Sequence, residues 1–178
     1  MTKHPIYDPR EDSYLLLEEI QKQKNIENAL DIGTGSGILA LELAKIAQRV
    51  TAADINKETL NELNKNIKLH RIKNLKTINS DLFSRVSGKF DLIVFNPPYI
   101  PTGKIKFIDL DGGKNGTQVI ERFLKNARKY LSKNGKILLL TSSLNKNMRK
   151  MFEDYHFNAK KIAEKKIFFE KLFIWELK

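Results

Sequence analysis

The fold is decided by the stretch Ala29-Leu30-Asp31-Ile32-Gly33-Thr34-Gly35-Ser36-Gly37. The apolar residues before the glycines predict a short buried strand, and the apolar residues 38–47 after them predict a buried helix. A strand that enters a helix through a glycine-rich turn is typical of nucleotide-binding α/β folds, because glycines let the backbone approach a ligand closely. A purely structural turn between strand and helix is the alternative.

The strand that follows this helix indicates the kind of ligand. Residues 49–55 predict a second strand that ends at Asp54, twenty-one residues after Gly33. A carboxylate at this place in a nucleotide-binding fold can accept hydrogen bonds from both ribose hydroxyls. Dehydrogenases that bind a dinucleotide carry the spacing Gly-x-Gly-x-x-Gly, whereas position 38 of this chain holds Ile38. We therefore expect a nucleoside site, and a dinucleotide fits it less well.

A second motif, Asn96-Pro97-Pro98-Tyr99, follows the apolar run at residues 90–95. The nitrogen of a planar NH2 group is a poor nucleophile, because its lone pair is delocalised. The side-chain oxygen of Asn96 and the carbonyl of Pro97 can each accept one N–H, which turns the lone pair toward an electrophile. Tyr99 supplies a flat face for the planar group. A tight turn is the alternative, because Asn-Pro and Pro-Pro often end strands.

Composition narrows the class of protein. The 178 residues predict a single domain, and the absence of cysteine excludes disulfides and thiolate metal sites. The three histidines are scattered, so no metal site is predicted. No apolar stretch is long enough to span a membrane and the N-terminus lacks the apolar core of a secretion signal, so we expect a cytoplasmic protein.

The net charge of +11 is compatible with nucleic acid or a ribonucleoprotein as neighbour, but it does not select a partner. The densest basic group lies between apolar segments near the C-terminus, where a solvated strand edge explains it better than a phosphate-binding track. Its members are Lys160, Lys161, Lys165 and Lys166.

Strand and helix patterns alternate along the chain, which predicts an α/β fold with one doubly wound sheet. The predicted elements after the second strand are a helix over residues 57–71, strands over 75–79 and 90–95, a helix over 117–131, a strand over 137–140 and an antiparallel pair over 157–163 and 167–177. Near the N-terminus a helix is predicted to start with Asp8 as its cap and Pro9 at its first position. The aromatic residues Phe169, Phe173 and Trp175 of the last strand are core candidates.

Four polar side chains fall at or just beyond the ends of successive predicted strands. They are Asp31, Asp54, Asp81 and Asn96. In an open α/β sheet these carboxyl ends line the ligand crevice, so the four should lie together. Transfer of a group from a nucleoside cofactor to a planar nitrogen explains all of them at once.

The same motifs resemble those of class I S-adenosylmethionine-dependent amino-methyltransferases, and more narrowly the HemK-type glutamine methyltransferases. The opening stretch at residues 7–17 and the loop at residues 112–116 resemble the short branch of archaea and eukaryotes, which methylates the Gly-Gly-Gln glutamine of class I release factors. The resemblance covers nearly the whole chain and implies a Rossmann-like, mostly parallel seven-stranded sheet with an antiparallel C-terminal strand. Residues 1–24 would form a lid and residues 25–178 the catalytic core. The N-terminal helical substrate-binding domain of bacterial relatives is expected to be absent, which leaves substrate docking unassigned.

The resemblance also implies a role for each motif residue. The cofactor S-adenosylmethionine would be bound by Pro9, Ser13, Asp31, Gly33, Gly35, Gly37, Asp54, Ile55, Asp81, Leu82 and Asn96. Asp31 would lie near its cationic end, Asp54 on the ribose and Asp81 on the adenine amino group. The catalytic residues would be Asn96, Pro97 and Tyr99, and together with Pro98 they would bind the substrate. No general base is needed, because the proton becomes acidic once the nitrogen is alkylated.

Two alternatives to protein glutamine methylation stay open. Adenine N6 presents the same planar NH2 group, so the motif would also serve an RNA or DNA methyltransferase. A non-enzymatic subunit with a vestigial site is the other. The resemblance further implies a small zinc-binding activator protein, for which the third predicted strand is the candidate docking edge at residues 76–79.

Overall fold

The computed structural model describes residues 10–101, 113, 115–168 and 170–178. Its helices are α1 (Glu11–Gln21), α2 (Ile38–Ile46), α3 (Lys57–Leu69), α4 (Gln118–Ala127) and α5 (Met148–Asp154), and a 3-10 turn covers Arg128–Tyr130. Its strands are β1 (Ile26–Ile32), β2 (Ala47–Asp54), β3 (Leu75–Asn79), β4 (Phe90–Phe95), β5 (Leu131–Ser142), β6 (Ala159–Ile167) and β7 (Glu170–Leu177). The strands form one seven-stranded sheet in the order β3-β2-β1-β4-β5-β7-β6.

The sheet is parallel from β3 to β5, and β7 alone among the described strands runs in the opposite direction, antiparallel to both of its neighbours, β5 and β6. Both of its faces are covered by helices. Helices α1 and α2, with Leu63 of α3, pack on one face, and α4 and α5 pack on the other. In β4, for example, Leu92 and Val94 belong to the first core and Ile93 and Phe95 to the second. A strand buried on both faces has no polar alternation, which is why these segments are continuous apolar runs.

The predicted fold class is confirmed. Strands β3 and β4 have the predicted bounds, and the C-terminal pair is antiparallel as expected. Strand β3 forms one outer edge of the sheet, and β6 forms the other and carries the four exposed lysines of the basic group. Trp175 is buried and Phe173 is half-buried, while Phe169 lies outside the described residues.

Some predicted bounds were wrong, and one helix was missed. Helix α4 ends at Ala127 and not at residue 131, and β5 begins at Leu131 and not at residue 137. Helix α1 begins at Glu11 with Arg10 extended before it, two residues after the predicted start, and Asp8 and Pro9 lie outside the described residues. Helix α5 was not predicted, because its seven residues bury only Met148 and Phe152. Such a short segment gives little periodic signal.

Candidate active site

The predicted polar residues lie at or just after the carboxyl ends of four neighbouring strands, β3, β2, β1 and β4. Asp31 of β1 pairs with Val94 of β4, so Asn96 lies just beyond this pair on the neighbouring strand. Asp54 ends β2 on the other side of β1. The chain reverses its strand order between β1 and β4, and the crevice outside such a switch point is where open α/β sheets bind ligands.

Hydrogen bonds from backbone N–H groups hold the glycine turn against strand β2. Gly33 donates to the Ala53 carbonyl at 2.8 Å, and the Gly35 N–H donates to Asp54 Oδ2 at 2.9 Å. Gly37 has a φ of 82°, and a Cβ atom there would lie 2.5 Å from Leu63 Cδ1 of α3. The turn therefore stays close to the first two strands, and α3 packs directly against its end.

Asp31 is a fully buried acid at the centre of the crevice. Thr34 donates to its Oδ2 at 2.6 Å, whereas its Oδ1 has no hydrogen-bond partner among the residues the structure describes. Burial raises the pKa of the Asp31 carboxyl to about 7, the charge of Asp54 adds to the rise, and the Thr34 hydrogen bond opposes it. A cationic ligand would reverse this rise, so the site fits a ligand that carries a sulfonium or ammonium group.

Asp54 lies beside the glycine turn, and Ile55 follows it. Asp54 accepts the Gly35 N–H on one oxygen and the Asn56 N–H on the other, at 2.9 Å each. Carboxylate oxygens can accept more than one hydrogen bond, which is compatible with ribose hydroxyls as additional donors. Ile55 follows directly and is 42% exposed. It leaves an apolar surface next to Asp54 that a flat base could cover.

Asp81 is paired with a residue that the sequence patterns missed. Arg122 of α4 donates to Asp81 Oδ2 at 2.7 Å, and both side chains are about half exposed. The role of Asp81 toward an adenine amino group stays a prediction, since this carboxylate already holds a cation. Leu82 follows with a φ of 47°, and Ser80 ties this turn together through the Leu82 carbonyl and the Arg85 N–H.

The Asn-Pro-Pro-Tyr motif follows β4 directly, with Pro97 buried and Pro98 and Tyr99 half-buried. The Asn96 Nδ2 lies 3.3 Å from both Asp12 Oδ2 and Ser13 Oγ of α1. Its Oδ1 is buried and has no partner within the described residues. The amide therefore turns its NH2 toward α1 and its oxygen away from it.

The loop after β5 holds the motif in place from the other side. Asn145 Nδ2 donates to the Tyr99 carbonyl at 2.7 Å and to the Gly116 carbonyl at 3.1 Å, and Asn145 Oδ1 accepts the Ser142 N–H at 2.8 Å. Gly116 has a φ of 67°, and a Cβ there would lie 2.2 Å from the Tyr99 oxygen. The sequence patterns indicated the glycine loop but not Asn145.

Ser13 is the predicted lid residue that the structure describes, and it is buried on α1 beside Asn96. Pro9, and Gly112 and Lys114 of the loop at residues 112–116, lie outside the described residues. No group of three histidine, cysteine or acidic side chains suitable for a metal occurs in the described part of the chain. The described helices include none that is long and apolar enough to cross a membrane.

Known proteins are similar to this chain in sequence and in fold. The family model for the methyltransferase small domain matches residues 10–169. A Methanocaldococcus jannaschii protein with the provisional name protein N5-glutamine methyltransferase is 37% identical, over 98% of this chain and 94% of that protein. Methyltransferase HEMK2 of Mus musculus is 32% identical, over 76% of this chain and 71% of its own. The chain belongs to the HemK-type methyltransferases of the small-domain family. Its cofactor is S-adenosylmethionine.

A solved structure is also similar to this HemK-type chain. It is the E. cuniculi Mtq2–Trm112 complex, described as responsible for methylation of the eRF1 translation termination factor. The TM-score is 0.71 at 26% identity, and the match covers 96% of both chains. The chain spans about half the length of the bacterial release factor glutamine methyltransferases that it matches. The residues present fit the cofactor, because the unpartnered Asp31 oxygen could accept from its cationic end and the exposed Ile55 side chain could pack against its flat base.

Proposed function

We propose that this protein transfers the methyl group of S-adenosylmethionine to the side-chain nitrogen of the glutamine in a Gly-Gly-Gln motif of a class I release factor. Support comes from the relatives named as protein and release factor glutamine methyltransferases and from the geometry at Asn96. The cofactor supplies the electrophilic methyl group. The protein has to bind the amide, orient its nitrogen and exclude water.

One observation carries this proposal. Within the described residues, two buried side-chain polar atoms have no hydrogen-bond partner. They are Asp31 Oδ1, on β1, and Asn96 Oδ1, directly after the neighbouring strand β4 at the same crevice. Buried polar atoms in folded proteins are nearly always paired, because leaving one unpaired costs about 1–3 kcal/mol. We therefore expect both atoms to gain a partner from bound molecules. Asp31 Oδ1 would gain a cationic group, and Asn96 Oδ1 would gain an N–H donor.

The residues of the motif can orient an amide without further chemistry. The Asn96 oxygen and the Pro97 carbonyl would each accept one N–H of the glutamine NH2, so that its lone pair points toward the methyl group. Tyr99 would pack on the amide plane, and Asn145 keeps the Tyr99 backbone in place through its hydrogen bond to the carbonyl. Positioning supplies the catalysis, and no side chain has to remove a proton before transfer.

A competition assay tests the substrate class. The purified protein, with radiolabelled cofactor, is given an archaeal-type release factor together with total RNA and duplex DNA. We expect label in the release factor alone, and none when the Gly-Gly-Gln glutamine is replaced by glutamate, which lacks the NH2 group. Label in nucleic acid with an unmodified release factor would reject the proposal in favour of an exocyclic-amine methyltransferase.

We further propose that a small zinc-binding activator pairs with the β3 edge. The similar Mtq2 structure was solved with Trm112, and among the described residues β3 has a sheet neighbour only on its β2 side. A free strand edge presents unpaired N–H and C=O groups to a partner strand. If the competition assay shows no activity, it is repeated with the activator present.

The chain contains no cysteine, so one introduced thiol reports on one position. Lys76→Cys labels the β3 edge, and Lys165→Cys labels the opposite β6 edge as the matched control. The activator should slow modification of the first thiol and leave the second unchanged. Equal protection of both, or protection of the second alone, would place the partner elsewhere.

The remaining proposals follow from this function. Because release factors act during translation, we place the enzyme in the cytoplasm. We propose that residues 1–178 work as one catalytic domain, in which residues 1–24 close over the cofactor and residues 25–178 form the core. Ser13, which is buried next to Asn96, supports this proposal as one contact between the two segments.

A further inference from the structure

We propose that Asp12 is a positioning residue for Asn96, whose amide it fixes so that the oxygen and not the NH2 group faces the methyl acceptor. The inference rests on the proposed transfer to a planar NH2 group. Asp12 lies outside the Asn-Pro-Pro-Tyr motif. Asp12 is 84 residues away in sequence, on α1, and is only 5% exposed.

An asparagine amide can sit in two orientations that differ only in which atom is oxygen and which is nitrogen. The two have similar shape but opposite chemistry, since one end accepts and the other donates. A methyl acceptor with an NH2 group needs the oxygen. With the nitrogen in its place, two donors would face each other and the acceptor would be repelled.

Asp12 selects the productive orientation, because an ionised carboxylate can only accept hydrogen bonds. Its Oδ2 lies 3.3 Å from Asn96 Nδ2, so the NH2 end of the amide must face α1. Ser13 Oγ lies at the same distance, but a hydroxyl can both donate and accept and therefore cannot enforce a direction. The unpartnered Asn96 Oδ1 is the result of this choice.

A hydrogen bond from the backbone of α1 fixes which of the two Asp12 oxygen positions must be an acceptor. A change of the atom at the other position therefore changes the orientation of the Asn96 amide. The Ser13 N–H donates to Asp12 Oδ1 at 2.7 Å, which requires an acceptor at that position. In an Asp12→Asn variant this N–H holds the amide oxygen, so the new NH2 group takes the Oδ2 position and points at Asn96. Asn96 would then turn its own oxygen toward α1 and present its NH2 group to the substrate.

Asp12→Asn should lower kcat by about 10²-fold, the usual effect of losing one preorganised contact at the reacting group. Affinity for S-adenosylmethionine, measured by isothermal titration, should stay unchanged. Glu18→Gln is the matched control, since it removes an exposed acid from the same helix. A fall of kcat together with cofactor affinity would overturn the proposal in favour of a structural role. A normal kcat would also overturn it.

Exchanging the two side chains provides a second test. Asn96→Asp alone places two carboxylates against each other and should be poorly active. Combined with Asp12→Asn, the new NH2 group can donate to the carboxylate at position 96, whose other oxygen still faces the substrate. The double variant should regain at least about tenfold in kcat over Asp12→Asn. No recovery would contradict the orientation argument.

The proposal for Asp12 and the proposal of a glutamine substrate can fail independently of each other. All ratios are taken with the acceptor that the wild-type enzyme methylates. If that acceptor is a nucleic acid base, the glutamine proposal fails while the same kcat ratios still decide whether Asp12 orients Asn96.

Discussion

Replacing Asp31 by asparagine should reduce the pH dependence of stability in the cofactor-free enzyme. Burial raises the pKa of the Asp31 carboxyl from 3.8 to about 7. A carboxyl whose pKa is higher in the folded chain than in the unfolded chain holds its proton more tightly when folded. Its contribution to stability is therefore fully present below about pH 4 and is lost as the pH rises through about 7. At ~1.4 kcal/mol per pKa unit, the total loss is about 4 kcal/mol.

Urea unfolding of the wild type and of Asp31→Asn at pH 5 and pH 8 measures this effect. The difference in unfolding free energy between the two proteins should change by about 3 kcal/mol between these pH values, with the wild type relatively weaker at pH 8. The free-energy cost of burying the new amide is the same at pH 5 and at pH 8, because the amide does not titrate. It therefore cancels in the comparison of the two pH values. The exposed Glu18→Gln serves as control.

The same variant should bind S-adenosylmethionine more weakly, because it removes the charge that would face the cationic end of the cofactor. A difference in unfolding free energy that stays constant from pH 5 to pH 8 would refute the reasoning. It would mean that Asp31 is either solvated or already paired with a cation in the cofactor-free enzyme.

Four further substitutions separate the contributions of residues to cofactor binding, to chemistry and to the scaffold. Asp54→Ala should weaken S-adenosylmethionine binding in isothermal titration by about 1–3 kcal/mol, the effect of lost hydrogen bonds to a charged acceptor, and unchanged affinity would remove Asp54 from the site. Asn96→Ala should leave that affinity unchanged while kcat falls by about 10²–10³-fold, and near-normal turnover would make the motif a structural turn. Gly88→Ala should lower the unfolding free energy by about 1–2 kcal/mol through its positive φ alone. Gly116→Ala should lower it further and also reduce kcat, because its Cβ meets the Tyr99 carbonyl, whereas a Cβ at Gly88 meets nothing within 4 Å.

The sequence predicted those parts of the fold that local patterns determine. Strands β3 and β4 were predicted to the residue. Strand β4 is an almost continuous apolar run, and β3 is a short segment in which Leu75 and Ile78 stand among polar residues. The end of α4 was misplaced by about one turn, since the 3-10 turn at Arg128–Tyr130 continues the helical pattern without belonging to the helix. The convergence of Asp31, Asp54 and Asn96 followed from the parallel order of the strands.

The contacts that complete the site were not predictable in the same way, because each joins distant parts of the chain. Asp12 meets Asn96 across 84 residues, Asn145 meets Tyr99 across 46, and Arg122 meets Asp81 across 41. No periodicity or short motif encodes such pairs. The sequence showed Asp12 within a recognisable opening stretch, but its partner became visible only when α1 was placed over the end of β4.

Tandem mass spectrometry of a release factor co-expressed with this protein, and with the activator where one is required, tests the central claim most directly. The account predicts a single added methyl group on the side-chain nitrogen of the Gly-Gly-Gln glutamine, and its absence when the co-expressed enzyme carries Asn96→Ala. Methylation at another residue, or an unmodified glutamine beside labelled nucleic acid, would contradict it. Glutamine methylation that persists undiminished with Asn96→Ala would contradict the role assigned to the Asn96 oxygen.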